Sequence, residues 1–297
     1  MSWSIIWFDA NGQMIDLCDP PFVTTRWQSL KGASVPEYRA VTERVPLKDG
    51  SNLKYIDVGE TEIDLTLIVR GTDEEDLWNR LALLSNSFNP RINSERTGVL
   101  RVTPPNGITR EIECYPISGF RINESTLAPT TVDVELTFLA TYPFWRSVNE
   151  VVETFALDNP PNWFPIFPLQ LGGDAIVSVF QLDNFGHVPV FPMWKITGPG
   201  SNPKITKQTT GEYIALTNNG GITLDSGQFI TVDAQAKKIT LNDGTNLMSK
   251  LDWGSSFFSI PANGVFEEGV SIKAEMPGAT TESSIEVRYR TYYQGVV

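Results

Sequence analysis

Histidine and cysteine are scarce in this sequence, and their scarcity excludes whole classes of chemistry. The 297 residues include one histidine, His187, and two cysteines, Cys18 and Cys114. A structural zinc centre takes four Cys or His ligands, so it is excluded on ligand count. A Ser-His-Asp arrangement would have to use His187, and no nucleophile-elbow motif accompanies it. Neither a Walker A sequence nor a G-x-G-x-x-G turn is present. We therefore predict no catalytic residues, no metal ligands, no cofactor and no enzyme activity.

The two cysteines lie far apart in the sequence, each inside a strand-like segment. Such an arrangement is typical of buried thiols in a protein that folds in a reducing compartment. We predict two free thiols rather than a disulfide.

Positive charge is also in short supply. The chain has 23 Lys and Arg against 35 Asp and Glu, which gives a formal net charge of -12. Up to Ser147 there are 20 acidic and 14 basic residues, and beyond it 15 and 9, so each half carries a net -6. Neither half offers the basic patch that nucleic acids or anionic membranes attract. We predict no stable nucleic-acid binding.

Long apolar runs are absent as well. No stretch approaches the roughly 18 uninterrupted apolar residues of a membrane-spanning helix. The start of the chain, MSWSIIWFDANG, lacks a basic region, and Asp9 interrupts its apolar run. We expect a protein made in a cytoplasm without a cleaved leader, and no membrane insertion.

Alternation of apolar and polar residues is the dominant pattern in the first half. The segments EIDLTLIVRG and TVDVELTFLA are typical of antiparallel strands with one buried face. Turn signals at Asn11-Gly12, at Asp49-Gly50 and at residues 104–107 separate further strand-like pairs. This pattern predicts a mainly β fold whose N-terminal domain is a β-sandwich or split barrel.

One segment has helical spacing instead. In GTDEEDLWNRLALLSNSFNP, Thr72 and Glu75 match a capping box. Four apolar residues recur at helical intervals: Leu77, Leu81, Leu84 and Phe88. We predict one amphipathic helix that packs on the sheet.

A proline-rich segment divides the chain. Residues 159–168 read NPPNWFPIFP, and proline neither donates to a β ladder nor continues a helix. We predict an N-terminal domain over residues 1–150, a linker over 151–168 and a second domain over 169–297. The second domain contains about ten short strand-like segments, which predicts a β-sandwich of jelly-roll type.

A series of landmarks in the second half resembles the siphophage distal tail proteins, the Dit-like phage tail family. The landmarks lie in NFGHVPVFPMWKITGPGSNPKITKQTTGEYIALT, LDSGQFITVDAQAKKITLNDGTN and KLDWGSSFFSIPANG. The matching residues are Asn184, Gly186, Pro189, Pro192, Gly198, Asn202, Pro203, Ile205, Thr209, Thr210, Gly211, Gly227, Ile230, Asp233, Gly244, Asn246, Leu251, Asp252, Phe257 and Phe258. The loop IPANGVFEEG departs from the short Pro-Gly-x-Asn loop of the family.

The resemblance implies a structural virion protein at the tip of a long non-contractile phage tail. It implies a tail-tube-like N-terminal domain that forms a hexameric ring, and a galectin-like C-terminal sandwich. The implied partners are the tail tube protein, the tape measure protein, the tail hub or tail-associated protein, and receptor-binding or baseplate proteins. Assembly in the host bacterial cytoplasm is implied too. If DNA leaves through such a ring, the net negative charge of the chain fits a lumen that does not hold DNA. Candidate lumen residues are Asp49, Glu60 and Glu62.

The junction after the long strand, YPFWRS, also resembles the family. Tyr142, Phe144 and Trp145 would bury a seam between the two domains, with Arg146 available to a carboxylate. An ordinary strand end that covers the core of its own domain fits the same residues equally well.

Two other functions stay open. The C-terminal sandwich could be a carbohydrate-binding module that attaches the particle to host cell-wall glycans, with Trp253, Phe257 and Phe258 stacked on sugar rings. The same stretch, DWGSSFFSI, is equally a turn followed by a buried strand. A hydrolase with paired carboxylates is the third class, because the sequence does not show how far apart acidic side chains lie.

Overall fold

A computed structural model describes residues 3–19, 22–25, 30–44, 49–89, 91, 97–118, 120–156, 175–263 and 269–296. The chain divides into two compact units. The first contains Met1–Val148 together with Tyr293–Val297, and the second contains Asn149–Tyr292. Both units are mainly β, and the described α-helix, of 14 residues, lies in the first. The predicted fold class is confirmed.

Unit 1 is built around one extensive antiparallel sheet. Its elements are β1 (Ser4–Phe8), β2 (Met14–Asp16), β3 (Val23–Thr25), β4 (Tyr38–Glu43), β5 (Asn52–Val58), β6 (Thr61–Arg70), α1 (Glu74–Ser87), β7 (Gly98–Thr103), β8 (Arg110–Pro116), β9 (Arg121–Ile122), β10 (Thr131–Ala140) and β11 (Trp145–Ser147). The main strand order is β2-β1-β7-β8-β10-β6-β3, which curls into a half-barrel. The three predicted hairpins are confirmed as the pairs β1–β2, β4–β5 and β7–β8.

The cap of helix α1 lies one residue later than predicted. Asp73 is the N-cap, and its carboxylate accepts a hydrogen bond from the amide of Asp76 at 2.8 Å. Asp76 in turn accepts from the amide of Thr72 at 2.8 Å. The predicted pair, Thr72 with Glu75, is therefore replaced by two aspartates. Their negative charge also stabilises the positive end of the helix dipole.

The core of unit 1 lies between helix α1 and the half-barrel. The four apolar residues predicted on the helix are buried: Leu77, Leu81, Leu84 and Phe88. Trp7 packs against Phe88 and Phe138, with ring centroids 5.7 and 5.0 Å apart, and its indole donates to the Ser87 carbonyl at 3.2 Å. The indole N–H is thus satisfied at the centre of an apolar cluster, as a buried tryptophan requires. Helix packing on the sheet is confirmed.

Unit 2 is a sandwich of two antiparallel sheets. Its strands are β12 (Val151–Ala156), β13 (Ala175–Leu182), β14 (Met193–Thr197), β15 (Gly200–Ser201), β16 (Lys204–Lys207), β17 (Tyr213–Ala215), β18 (Thr223–Leu224), β19 (Phe229–Asp233), β20 (Lys238–Leu241), β21 (Val270–Pro277) and β22 (Ser284–Tyr289), and β23 (Tyr292–Tyr293) follows. The order is β12-β22-β14-β19-β20 in one sheet and β13-β21-β16-β17 in the other. Trp194 and Ile230 of the first sheet share a core with Ile205 and Ile272 of the second.

The units differ from the predicted domains at two places. Residues Val151–Ala156, predicted as part of the linker, form strand β12 and pair with β22. The sequence VVETFA precedes the first proline of the linker, and residues 151–155 alternate between half-buried and exposed. The rest of the predicted linker, residues 157–168, lies outside the described residues. The second difference is the last segment, Tyr293–Val297, which belongs to unit 1.

Both cysteines are free, as predicted. Cys18 is half-buried, and its thiol lies 3.8 Å from the Thr25 hydroxyl. Cys114 is fully buried in unit 1, and this burial raises the pKa of its thiol far above the usual value. Its burial leaves the Cys114 thiol without the accessibility that makes a cysteine reactive.

Candidate functional site

Strands β4 and β5 form a two-stranded ribbon that is separate from the other sheets of unit 1. They pair with each other from Tyr38↔Val58 to Glu43↔Asn52, with a register shift between Val41 and Thr42. Nearly every described residue of the ribbon is exposed. A lone two-stranded ribbon is marginally stable in water, so it needs a surface against which to pack.

The ribbon carries large apolar side chains on both of its faces. Tyr55 and Ile56 are 58% and 57% exposed, and as neighbours in a strand they point to opposite sides. Leu53 and Tyr38 are about equally exposed, at 56% and 49%. A strand that lies on its own domain would bury one of these faces. The ribbon therefore presents two apolar surfaces to its surroundings, which is typical of an interaction site.

An acidic cavity lies at the base of the ribbon. Its volume is about 560 Å³, and Glu37, Arg39, Glu60 and Glu62 are among the residues that line it. The structure thus brings together two of the three residues predicted to face a ring lumen, Glu60 and Glu62. Asp49 is exposed in the hairpin turn at the other end of the ribbon. Three carboxylates around one cavity give this part of unit 1 a negative field.

Some of the residues predicted to form a seam between the domains are exposed in unit 1, and others are buried there. Trp145 is fully buried in the unit 1 core. Tyr142 is exposed, and its ring meets Phe144 edge to face with centroids 5.1 Å apart. The position of Trp145 is the one expected of a strand end that covers its own core.

Arg146 is the fourth predicted seam residue, and it does reach a carboxylate. Its Nε donates to Glu111 at 2.9 Å, and its Nη1 donates to Glu113. Glu111 also accepts from Arg101 Nη2 at 3.0 Å. Burial raises the pKa of Glu111, but the hydrogen bonds from Arg101 and Arg146 outweigh burial and hold this pKa below its usual value. Strands β7, β8 and β11 are thus cross-linked by charge.

The three aromatic residues of the predicted glycan platform are not brought together on one surface. Trp253 is 92% exposed, Phe257 is half-buried against the core, and Phe258 is 2% exposed. Phe258 packs on Trp194 with centroids 6.2 Å apart, so it has no ring face to offer a sugar. Of the predicted platform, Trp253 alone is freely accessible.

Sequence reasoning missed the apolar ribbon altogether. AVTERVPL and SNLKYIDV look like an ordinary hairpin, and their alternation does not show that the hairpin leaves the sheet. The consecutive Tyr55 and Ile56 were the available signal, because two large apolar neighbours in one strand cannot both face the core of a single domain.

Within the part of the chain that the structure describes, no group of three or more His, Cys, Asp or Glu side chains is placed to hold a metal ion. No helix among the described residues is long and apolar enough to cross a membrane.

Residues 185–291 match the family described as siphovirus-type tail component, C-terminal domain. The matched residues lie within unit 2, and we call them the tail-component domain. The resemblance to siphophage distal tail proteins that the landmarks predicted is confirmed. No curated protein has a matching sequence.

Solved structures extend the similarity to both units of the chain. The Dit protein of phage SPP1 (gp 19.1), described as a paradigm of the hub adsorption apparatus in Gram-positive infecting phages, is 15% identical with a TM-score of 0.67. The alignment covers 98% of this chain and 99% of that one. A chain of the phage P2 baseplate in its activated conformation with Sr is 11% identical, with a TM-score of 0.54 and coverage of 97% and 98%. At these identities the likeness shows a shared fold.

Proposed function

We propose that this protein is a structural component of a siphophage tail tip, where six copies form a ring between the tail tube and the hub or baseplate. The tail-component domain of unit 2 and the Dit fold of the whole chain support a place in a phage tail. In this role the ring contacts the tail tube and tape measure proteins on one side. The tail hub and the receptor-binding or baseplate proteins lie on the other.

The exposed apolar ribbon is the observation on which the proposed ring rests. A closed ring needs a heterologous contact, in which one patch of a copy meets a different patch of the next. The ribbon supplies one such patch, since it exposes Leu53, Tyr55 and Ile56 and its two strands pair with no other described strand of unit 1. Packing against a neighbour would bury both faces and order a ribbon that is marginal alone.

Light scattering and negative-stain images of the purified chain test the proposal. We expect six-fold rings that the double change Tyr55→Ser and Ile56→Ser converts to monomers with an unchanged circular dichroism spectrum. The control is Met14→Ser, because Met14 is equally exposed but lies in the β1–β2 hairpin. A chain that stays monomeric alone and with tail tube protein, or rings that survive the double change, would contradict the proposal.

A further inference from the structure

Trp253 is held in a rigid turn although its side chain is almost entirely in water. The preceding carboxylate, Asp252, organises this turn. Its Oδ1 accepts from the hydroxyl of Tyr213 at 2.8 Å and from the amide of Gly254 at 3.0 Å. Its Oδ2 accepts from the hydroxyl of Thr217 at 3.1 Å. Three donors thus bind one carboxylate directly beside the exposed indole.

Backbone contacts fix the turn on both sides of Trp253. The Asp252 amide donates to the Ala215 carbonyl at 2.9 Å, and the Ser256 amide donates to the Tyr213 carbonyl at 2.8 Å. A Cβ on Gly254 would lie 2.3 Å from the Tyr213 hydroxyl oxygen, so a larger residue there would displace the hydroxyl that bonds Asp252. The turn is therefore in place before any ligand arrives, which lowers the entropy cost of binding.

The surroundings of Trp253 indicate the kind of ligand. The described part of unit 2 has six exposed large apolar residues, Val152, Val179, Phe185, Phe191, Met193 and Trp253, and the first five lie outside the segments that are hydrogen-bonded to the turn of Trp253. Thr217 is bonded to Asp252 in this turn. Asn219 bonds the Ser249 carbonyl and accepts from Lys250, and Ser249 and Lys250 lie just before the turn in the sequence. A protein hot spot is normally set in a surface whose other contacts exclude water, and this ring stands alone. A lone aromatic face among hydroxyl, amide and carbonyl groups fits a sugar ring, which has apolar C–H faces and a polar rim.

We propose that Trp253 is the stacking platform of a carbohydrate-binding site on unit 2, with a neutral glycan as its ligand. The charged groups of the turn are engaged internally, Asp252 as above and Lys250 with the Asn219 carbonyl at 2.8 Å, so the site does not call for a charged sugar. Thr217 and the backbone of the turn supply the polar rim. Asp252 is a positioning residue that acts through the turn. Neither Phe257 nor Phe258 takes part.

The test follows the tryptophan indole N–H signals of the full chain by NMR. The chain has 8 tryptophans, and the Trp253 signal is assigned with Trp253→Phe. The probes are the N-acetylglucosamine tetramer and lactose, and purified bacterial sacculi in a co-sedimentation assay. We expect saturable movement of the Trp253 signal with an oligosaccharide, together with co-sedimentation. Trp253→Ala should weaken binding about tenfold or more, as is common for tryptophan anchors.

Trp78 is the matched control, since it is an exposed tryptophan on helix α1 of unit 1 and Trp78→Ala should leave binding unchanged. Asp252→Asn should weaken binding while the protein stays folded, and Trp253→Tyr should restore part of it. A Trp253 signal that neither oligosaccharide moves, combined with sedimentation that Trp253→Ala leaves intact, would overturn the proposal. This glycan-binding site would add to the proposed tail-tip role. Glycan binding can be measured on the chain in any oligomeric state. A failure to bind glycan and a failure to form rings are therefore separate results.

Discussion

Arg110 donates a hydrogen bond from its guanidinium to the carbonyl oxygen of Gly295, 185 residues further along the chain. The same guanidinium lies over the ring of Tyr293, 4.0 Å from its centroid. Next to them, the amide of Val296 donates to the carbonyl of Ala33 at 2.9 Å, and its side chain is buried in the unit 1 core. The segment after β23 therefore completes unit 1, and unit 2 is inserted between two parts of it in the sequence.

Val296→Ala should destabilise unit 1, because it leaves a cavity in a core that is otherwise complete. Removing buried methyl groups without repacking costs about 1–3 kcal/mol. Urea unfolding, followed by the tryptophan fluorescence of the chain, measures the loss. The control is Ile108→Ala, since Ile108 is exposed in the same unit and should change stability by less than about 0.5 kcal/mol. Equal stability of the two variants would show that the last segment does not contribute to the core.

Glu111 should make unit 1 sensitive to acid. Its pKa is lower in the folded chain than in the unfolded chain, so its contribution is full above the unfolded pKa and is lost as the pH falls through the folded pKa. Glu111→Gln should cost about 1–3 kcal/mol at pH 7, because Arg146 and Arg101 then lose a buried charged partner. The difference from the unaltered chain should shrink below about pH 4.

Thermal unfolding between pH 3 and pH 7 measures this difference. Glu43→Gln is the control, since Glu43 pairs with Lys54 at 3.1 Å in an exposed ion pair. Such pairs contribute about 0–1 kcal/mol, so the variant should stay close to the unaltered chain at every pH. A Glu111→Gln deficit that is the same at pH 3 and pH 7 would mean that the carboxylate charge is not what stabilises the three strands.

The two thiols should differ in reactivity. Burial keeps Cys114 protonated and shielded, whereas Cys18 is partly accessible. In the native protein we expect a thiol reagent to label Cys18 slowly and to leave Cys114 unlabelled until the chain unfolds. Mass spectrometry after labelling, with Cys18→Ser as the control, separates the two sites. Rapid labelling of Cys114 in the native state would indicate frequent local opening of strand β8.

We expect that this protein does not bind duplex DNA. Both halves of the chain are acidic, and three carboxylates surround the cavity at the base of the ribbon. Without clustered Lys and Arg there is no release of counterions to drive association. A fluorescence anisotropy titration with a short duplex at physiological salt should show no binding at micromolar protein. Micromolar affinity that falls steeply with salt would refute the lumen assignment of Glu60 and Glu62.

The local sequence determined much of this fold. Alternation identified both long central strands, β6 and β10, because a sheet with one buried face imposes a period of two. The helical spacing of four apolar residues identified helix α1, because a helix with one buried face imposes a period of about 3.6 residues. Turn residues placed the three hairpins, and the ordered landmarks after Asn184 were enough to assign the tail-component domain.

Other features were decided by the tertiary structure, because they depend on which surfaces meet. The sequence of β5 shows that its side chains point to two faces, but it does not show that both faces stay exposed on a separate ribbon. Trp253 and Phe258 lie five residues apart with similar apolar character, yet one is in solvent and the other is in the core, since the turn at Asp252 directs only the second toward the opposite sheet. Val296 is buried in the unit 1 core, and the neighbouring Gly295 accepts a hydrogen bond from Arg110, which is distant in sequence. A periodic pattern describes one element at a time, whereas burial requires two elements in contact.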